Sequence, residues 1–302
     1  MTTGTAAATG TVRTRAQQVV GDYVSLTKPR IVELLLVTTV PAMVVAAGGW
    51  PGSALVAATV VGGALVSGSA HATNMVYDRD IDAAMARTAQ RPLPAGRISP
   101  QGALAFAAAL LVAGTTVLLV LVNWQAAALT VTAWLWYVVI YTLLLKRRSD
   151  QNIVIGGAAG ALPPVIGWAA VTGTTPVAAW ALFAVVVLWT PTHFWALAVG
   201  TGDDYARAGV PMLTVRRGNR TAARHGLVYA TATVVASLTL PLAGVGGWPL
   251  AVIAAVLGAW FVGRAVAMMR DPGERTAWRL FHASIAYLGG LFVAVAVTGL
   301  LT

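Results

Sequence analysis

Long apolar stretches alternate with short charged clusters along the whole chain. Between clusters lie apolar blocks of roughly 40 residues, each long enough for two membrane-crossing helices and a tight turn. A last apolar run, at about 281–301, has room for one more crossing. The pattern predicts an all-α, polytopic membrane protein with nine transmembrane helices.

Uncharged turn signals divide the apolar blocks into separate helices. Ser99-Pro100 and Thr175-Pro176 each predict a helix start, with an N-cap residue before a proline at the first helical position. Pro163-Pro164 predicts a break in the fifth crossing, and freed backbone groups in a membrane are tolerated only beside protein or a cavity. The other predicted turns carry no charge and lie at 48–51, 123–125, 172–176 and 244–249.

Small residues indicate where two crossings approach each other closely. Gly156, Gly157 and Gly160 lie in the fifth crossing, just before its proline break. Glycine permits close helix contact because it has no side chain to separate the backbones. The sequence therefore predicts a tight helix–helix contact along this stretch.

The 20 Lys and Arg residues give the predicted orientation. They lie in clusters that all fall on one side of the predicted bundle, and the positive-inside rule places that side in the cytoplasm. The amino terminus is then cytoplasmic. The clusters lie at 13–30, 79–97, 146–148, 207–224 and 264–279.

Composition supports this class of protein. Of the 302 residues, 58% are hydrophobic and only 10% are charged, whereas soluble domains carry about 25% charged residues. The net charge of +10 would fit a nucleic-acid partner, but its confinement to one membrane face favours anionic lipids or a polyanionic substrate. The absence of cysteine excludes disulfides, thiolate metal sites and a cysteine nucleophile.

Domain organisation follows from the same pattern. The first apolar run starts near Ile31 after a polar arm, so no cleaved signal peptide is predicted. Residues 1–20 are rich in Thr, Ala and Gly and are predicted to be disordered. Residues 21–302 are predicted to form a single transmembrane domain.

The stretch 71–98 carries the chemistry that the rest of the chain lacks. Asn74, Asp78 and Asp82 recur at a spacing of four, which places them on one face of a helix. A divalent cation would relieve the repulsion between the carboxylates, and Mg²⁺ typically takes one or two carboxylates plus substrate phosphates. Arg87 and Arg91 follow at once, and guanidinium groups match phosphate oxygens. The stretch predicts a diphosphate site, and the alternative is a solvated loop whose acids pair with its own arginines.

A second loop on the same predicted side repeats this combination. Asp203 and Asp204 stand beside Arg207 within residues 202–218. Two loops with acids and arginines on one face could close over one ligand. This repetition strengthens the interpretation as a diphosphate site.

Three further residues are candidates with two interpretations each. His193 follows Pro191 inside an apolar run, where an ionisable residue is either functional or a packing residue. Lys146 ends the fourth crossing, where it either anchors the helix end or contacts diphosphate. Lys28 borders the first crossing and has the same two possibilities.

Several segments resemble one protein superfamily. NMVYDRDID followed by RTAQRPLPAG resembles the first Asp-rich motif of the UbiA-type intramembrane prenyltransferases. The segments LTKPRIVELLLVTT, KRRSDQNIVIGGAAGALPPVIGW, TPTHFWALA, DDYARAGVPMLTV and LFHASIAYL are similar to its haem-farnesylating branch, the protohaem IX farnesyltransferases or haem O synthases. The resemblance runs from about Leu26 to the end of the chain.

The resemblance implies a fold and a reaction. It implies nine helices around a cavity, and transfer of farnesyl from farnesyl diphosphate to a vinyl group of haem b with Mg²⁺ as cofactor. The product would be haem O in the cell (cytoplasmic) membrane, and a downstream haem A synthase could take it up as a partner.

The resemblance also assigns residue roles. It makes Asn74, Asp78 and Asp82 the residues that hold the metal and diphosphate, with Asp78 and Asp82 catalytic. It makes Arg87 and Arg91 the phosphate contacts. Lys146, Asp204 and Arg207 are predicted as further diphosphate contacts, and His193 is predicted to be catalytic, where it would orient haem or ligate its iron. The second loop departs from the usual pair of acids four apart, because Ala208 follows Asp204 at that distance. Asp203 and Asp204 therefore either bind metal or shape the loop.

Two other functions stay open at this point. A prenyltransferase of the same fold could act on a quinone precursor or a chlorin, although GALPPVIGW and AGVPMLTV favour haem. A transporter also uses broken helices and a cavity. No convincing internal repeat accompanies these features, which disfavours transport.

Overall fold

The computed structural model describes residues 14–301, and for residues 30–36 it describes the backbone. All regular structure in this part of the chain is helical. The helices are α1 (Arg15–Leu26), α2 (Pro29–Ala47), α3 (Ser53–Tyr77), α4 (Arg79–Ala84), α5 (Pro100–Leu121), α6 (Trp124–Leu135), a π-helical segment (Trp136–Leu145), α7 (Asn152–Ala161), α8 (Pro163–Thr172), α9 (Val177–Gly200), α10 (Asp204–Arg207), α11 (Leu213–Leu238), a 3₁₀ turn (Leu240–Ala243), α12 (Gly247–Arg270) and α13 (Glu274–Leu301).

The prediction of a disordered arm through residue 20 is wrong from Arg15 onward. Helix α1 begins there because Thr14 and Gln17 form a reciprocal capping box, in which each side chain bonds the other residue's backbone N–H. Residues 1–13 lie outside the described part of the chain. The error arose because a Thr- and Ala-rich composition hid a specific capping pair.

Within the described residues, seven helical spans are long and apolar enough to cross a membrane. This number counts α6 with the π-helical segment as one span, and α7 with α8 as another. Helix α11 does not reach that apolarity because its first half carries Arg216, Arg217, Arg220 and Arg224. Only Val37–Ala47 of α2 counts as an apolar helix, and it is short. The multi-pass, all-α prediction is confirmed, and the number nine stays a prediction.

The predicted turns fall between helices, and the predicted caps have different outcomes. Ser99 accepts a hydrogen bond from Gly102 N and starts α5 with Pro100, as predicted. Thr175 is not an N-cap, because α9 begins one residue later, after Pro176 in extended conformation. Pro163 separates α7 from α8, so the fifth crossing is broken where predicted.

Glycines allow close packing at several helix crossings. A side chain at Gly62 of α3 or at Gly114 of α5 would collide with the facing helix, since each glycine approaches the other's carbonyl oxygen. Gly156 leaves room for Tyr141 and Gly157 for Thr190, which confirms the predicted close contact. Gly160 differs, because a Cβ there would meet nothing within 4 Å.

The largest apolar core lies between α9, α12 and α13. Trp189, Phe261, Tyr287 and Phe292 are buried in it. Phe261 stacks on Tyr287 with ring centroids 4.8 Å apart. This half of the bundle is a packed scaffold, whereas buried polar side chains concentrate around the end of α3.

The π-helical segment is the main departure from regular helix geometry. Lys146 N bonds Tyr141 O at 2.8 Å, and Thr142 Oγ1 donates to Tyr137 O at 2.9 Å, both across five residues. The wider turn changes the direction of each following side chain relative to an α-helix. Such segments are frequent at functional sites, and this one packs against α3 and α7.

Candidate active site

The three polar residues at spacing four meet at the junction of α3 and α4. Asp78 lies between the helices with a non-helical backbone, φ −94° and ψ 6°. The junction keeps the i to i+4 geometry, because Asp78 N bonds Asn74 O and Asp82 N bonds Asp78 O. The residues therefore lie on two successive helices and not on one, but they still share a face as predicted. All three side chains are buried.

Cations from distant parts of the chain converge on this junction. Lys28 Nζ donates to Asn74 Oδ1 at 2.9 Å, and Arg91 Nη1 donates to Asp82 Oδ2 at 2.7 Å. Lys146 Nζ donates to Asp78 Oδ2. We call Lys28, Asn74, Asp78, Asp82, Arg91 and Lys146 the acid-rim cluster.

The cluster carries more positive than negative charge. Its two carboxylates, Asp78 and Asp82, face Lys28, Arg91 and Lys146. Burial is the main cause that lowers the pKa of Lys28 to about 7, and the positive charges of Arg91 and Lys146 contribute to the same shift. Lys28 is also the one described non-glycine residue with positive φ, at 50°. An anion entering here would relieve repulsion among the cations.

Asp78 has one oxygen occupied and one free within the described structure. Asp78 Oδ2 accepts from Asn74 Nδ2 at 2.7 Å and from Lys146, whereas Oδ1 is buried without a hydrogen-bond partner. A buried, unpaired carboxylate oxygen is costly unless a ligand completes it. The described residues contain no group of three His, Asp or Glu side chains able to hold a metal alone.

An aromatic wall adjoins the cluster. His71 packs edge-on against Tyr137 with centroids 5.3 Å apart, and Tyr137 lies 5.3 Å from Tyr141. Both tyrosines are close enough to Asp78 to interact electrostatically. Asn74 Nδ2 also lies 3.1 Å from Thr142 Oγ1, so the π-helical segment contacts the cluster directly.

The second acidic loop lies against the first. Ile81 and Met85 share one apolar cluster with Val210 and Met212. A pocket of about 270 Å³ lies between the loops, lined by Asp80, Ile81, Arg147, Ala208 and Gly209. The prediction that both loops lie on one face is confirmed.

The loop acids themselves differ in position. Asp204 is buried and pairs with Arg207, whereas Asp203 is exposed. Neither carboxylate bonds a member of the acid-rim cluster in the described part of the chain. The structure thus brings the loops together without joining Asp204 and Arg207 to Asp78.

Two predicted residues lie apart from the cluster. Arg87 is exposed and makes no ion pair among the described residues. His193 is buried between Trp189 and Phe281, at centroid distances of 4.4 and 4.6 Å, and its Nδ1 lies 2.7 Å from Ser284 Oγ. These partners belong to the scaffold half, whereas Phe194, edge-on to His193 at 5.5 Å, packs against the apolar cluster that joins the two loops. No described contact joins His193 to the acid-rim cluster, so its catalytic role stays a prediction.

Comparison with known proteins identifies the family. The model of the UbiA prenyltransferase family matches residues 35–294. The chain belongs to this family. Its curated relatives include proteins named protoheme IX farnesyltransferase from Clavibacter michiganensis, 50% identical with 92% of each chain covered, and from Gloeobacter violaceus, 48% identical with 94% of this chain and 93% of the relative covered.

Solved structures show the UbiA fold at lower identity. A digeranylgeranylglyceryl phosphate synthase superposes with a TM-score of 0.74 and 18% identity, covering 94% of this chain and all of that chain (100%). A UbiA homolog from Archaeoglobus fulgidus bound to GPP and Mg²⁺ gives a TM-score of 0.63 at 17% identity, covering 91% and 99%. These two likenesses establish the shared fold, and the resemblance predicted from NMVYDRDID is confirmed at the family level.

Sequence reasoning missed part of this UbiA site. Tyr137, Tyr141 and Thr142 occur in an apolar run with no polar periodicity, and a lone histidine such as His71 gives no spacing signal. Lys28 was left with two interpretations, and the only signal for it was the polar LTKPR segment. Their positions depend on tertiary packing, which local spacing does not report.

Proposed function

We propose that this chain transfers a farnesyl group from farnesyl diphosphate to a vinyl group of haem b, forming haem O and releasing diphosphate. Relatives near 50% identity over most of both chains, named protoheme IX farnesyltransferase, support the choice of substrates. The observation that carries the proposal is the acid-rim cluster, where three cations and an unpaired Asp78 oxygen converge in a buried site.

The cluster's donors fit a divalent metal together with a diphosphate. Asp78 Oδ1 is a hard oxygen with no other partner, and Asn74 and Asp82 add oxygens nearby. Mg²⁺ typically takes one or two carboxylates and completes its shell with substrate phosphates and water. Mg²⁺ bound by Asn74, Asp78 and Asp82 would supply Lewis-acid neutralisation of the departing diphosphate.

The protein's cations act on the leaving group. Lys28, Arg91 and Lys146 stabilise negative charge that grows on the diphosphate as the C1–O bond breaks. Their pairing with Asn74, Asp82 and Asp78 holds them in position beforehand. Arg87, Asp204 and Arg207 are further candidates for diphosphate contact once the loops close over a bound ligand.

The aromatic wall acts on the other fragment. The electron pair of the C1–O bond leaves with diphosphate, which makes C1 of the farnesyl group cationic. The faces of Tyr137 and Tyr141 favour a cation, and these half-buried rings limit the access of water that would quench it. The haem vinyl group then bonds to C1, water captures the resulting side-chain cation, and one proton is released.

The remaining assignments follow from the same proposal. His193 orients haem or ligates its iron from the scaffold side. The acidic loops and the amino terminus face the cytoplasm of a bacterial cell membrane, as the positive-inside rule favours. Haem O would then pass to an enzyme that oxidises it further, such as a haem A synthase.

Product analysis tests the proposal. The purified chain is incubated with farnesyl diphosphate, haem b and Mg²⁺, and the pigment is analysed by mass spectrometry while diphosphate release is measured. We expect haem O and diphosphate in equal amounts, and loss of both after chelation of Mg²⁺. Prenylation of a quinone precursor or a chlorin instead of haem b would contradict it. So would transport of farnesyl diphosphate across a membrane without formation of a prenylated product.

A further inference from the structure

A second basic site lies on the outward-facing surface of the helix bundle, between the last turns of α12 and the first turns of α13. It is a groove of about 820 Å³ lined by Trp260, Arg264, Arg275, Trp278, Arg279, His282, Ala283 and Ala286. None of these residues belongs to the acid-rim cluster. We call it the α12–α13 groove.

The groove's arginines have no acidic partners. Arg264, Arg275 and Arg279 are exposed and make no ion pair with any described residue, although Asp271 follows α12 and Glu274 begins α13. By contrast, Arg91, Arg97, Lys146, Arg147, Arg207 and Arg217 each pair with an acid. Three unpaired guanidiniums at one groove present donors suited to phosphate oxygens.

Exposed apolar rows continue from the arginines along both helices. On α12, Ile253, Val256 and Trp260 lead to Arg264 at steps of three and four residues, which place them on one face. On α13, exposed Val293, Val297 and Leu300 continue the row that begins with Arg275, Arg279 and His282. The groove thus combines a cationic end with a long apolar surface.

Two tryptophans fix the depth of the groove in the membrane. Trp260 is 41% exposed, and Trp278 packs against Gly200 at the end of α9. Tryptophan is enriched at the level of lipid headgroups. Arginines at that level attract anionic lipids of the cytoplasmic leaflet.

We propose that the α12–α13 groove binds one anionic phospholipid. Its phosphate lies among Arg264, Arg275 and Arg279, and an acyl chain follows the apolar row past Trp260 and Val256. A prenyl diphosphate already has a buried site with paired cations at the acid-rim cluster, and a porphyrin lacks a long chain to cover the rows. The choice of a phospholipid over a prenyl diphosphate rests on the proposed function, which gives the prenyl diphosphate the acid-rim cluster.

Lipid retention tests the inference. The full chain is reconstituted in phosphatidylcholine membranes containing phosphatidylglycerol, then released and weighed by native mass spectrometry. We expect one retained phosphatidylglycerol per chain. The combined substitution Arg264→Gln, Arg275→Gln and Arg279→Gln should reduce its retention at least about ten-fold, since three charge-assisted phosphate contacts are lost.

A matched variant separates a built site from general charge. Arg216→Gln, Arg220→Gln and Arg224→Gln remove the same charge from exposed, unpaired arginines of α11 and should leave retention unchanged. Equal losses in the two triple variants would overturn the proposal. So would absence of retained phosphatidylglycerol in the unmodified chain, or its displacement by farnesyl diphosphate or haem b.

A second measurement covers the case in which the triple variant fails to fold. Phosphatidylglycerol brominated in its acyl chain quenches nearby tryptophans, and Trp260→Phe should remove part of that quenching at low lipid fraction. Brominated phosphatidylcholine at the same fraction should not distinguish the two proteins. An equal difference with both lipids would show bulk contact and contradict a specific site.

Discussion

The acid-rim cluster and the α12–α13 groove each contain three cations near a helix end, yet they use them differently. Lys28, Arg91 and Lys146 are held by a buried amide and two carboxylates, whereas the groove's arginines are exposed and unpaired. Fixed, desolvated charges suit a transition state, because they need no reorganisation when charge develops. Exposed, unpaired arginines suit a lipid that exchanges with the bilayer. Charge alone therefore does not distinguish a catalytic site from a lipid site, and burial with pairing does.

The largest effect should come from the carboxylate at the centre of the cluster. Asp78→Asn removes the charge that Lys146 contacts and the oxygen left free for a ligand. We expect farnesyl transfer to fall by about 10²–10³-fold or more, as for other lost electrostatic contributions. Turnover of purified protein measures it, with Asp80→Asn as control because Asp80 is exposed and pairs with Arg147 instead. If the Asp78→Asn variant still forms haem O at the normal rate, the acid-rim cluster is not the catalytic site and does not differ from the α12–α13 groove in that respect.

Removing a cation of the acid-rim cluster should lower activity more than removing an equal charge two residues away. Lys146→Met should lower kcat/KM for farnesyl diphosphate by about 10- to 100-fold, since a charge-assisted contact contributes about 1.5–3 kcal/mol. Arg148→Gln is the matched control, because Arg148 is exposed two residues away without an ion pair. The triple variant of the α12–α13 groove should change the rate of farnesyl transfer by less than about two-fold. The measurement is made in uncharged detergent, so that no anionic lipid affects the rate. Similar losses in all three variants would mean that net charge decides activity.

Packing behind the aromatic wall should have an intermediate effect. A Cβ at residue 156 would overlap the ring of Tyr141, so Gly156→Ala should cost about 1–3 kcal/mol of unfolding free energy and reduce transfer. Gly160→Ala, in the same helix, meets nothing within 4 Å. It should leave stability unchanged or slightly raised. Thermal unfolding and turnover of both variants check this, and equal behaviour would exclude a role for the Gly156–Tyr141 contact.

The exposed ion pair between Asp80 of α4 and Arg147, which follows the π-helical segment, should have the smallest effect on stability. Asp80 and Arg147 should couple by less than about 1 kcal/mol in a double-mutant cycle, as exposed pairs do. The hydrogen bond from Arg147 lowers the pKa of Asp80 to about 2. The pair's contribution is therefore complete above about pH 4 and is lost as the pH falls through about 2. Coupling comparable to the Lys146–Asp78 contact would remove the distinction between surface and buried pairs.

The sequence predicted what depends on local spacing. Asn74, Asp78 and Asp82 share a face because the i to i+4 relation survives the helix junction at Asp78. Ser99 and Pro163 likewise act through neighbouring backbone. The bundle, its broken fifth crossing and the shared side of the acidic loops could all be predicted in this way.

Contacts between distant residues could not be predicted by the same means. Lys146 reaches Asp78 across 68 residues, and its direction depends on the π-helical segment before it. An apolar run has the same hydropathy whether its turns are α or π, so the segment leaves no sequence signal. Arg91 joins the cluster while Arg87 does not, because residues 85–98 form turns and helical spacing does not apply there.

The π-helical segment also limits how this part of the chain can change in length. Each residue turns the chain by about 100° in an α-helix and by less in the wider π-helix, so deleting one residue between Trp136 and Leu145 would change the direction of Lys146 relative to α3. Lys146 would then leave Asp78, although the hydropathy of the crossing would be almost unaltered. A shortened chain of this kind would still insert as a membrane span and yet lose its catalytic register, a defect that a hydropathy profile would not reveal.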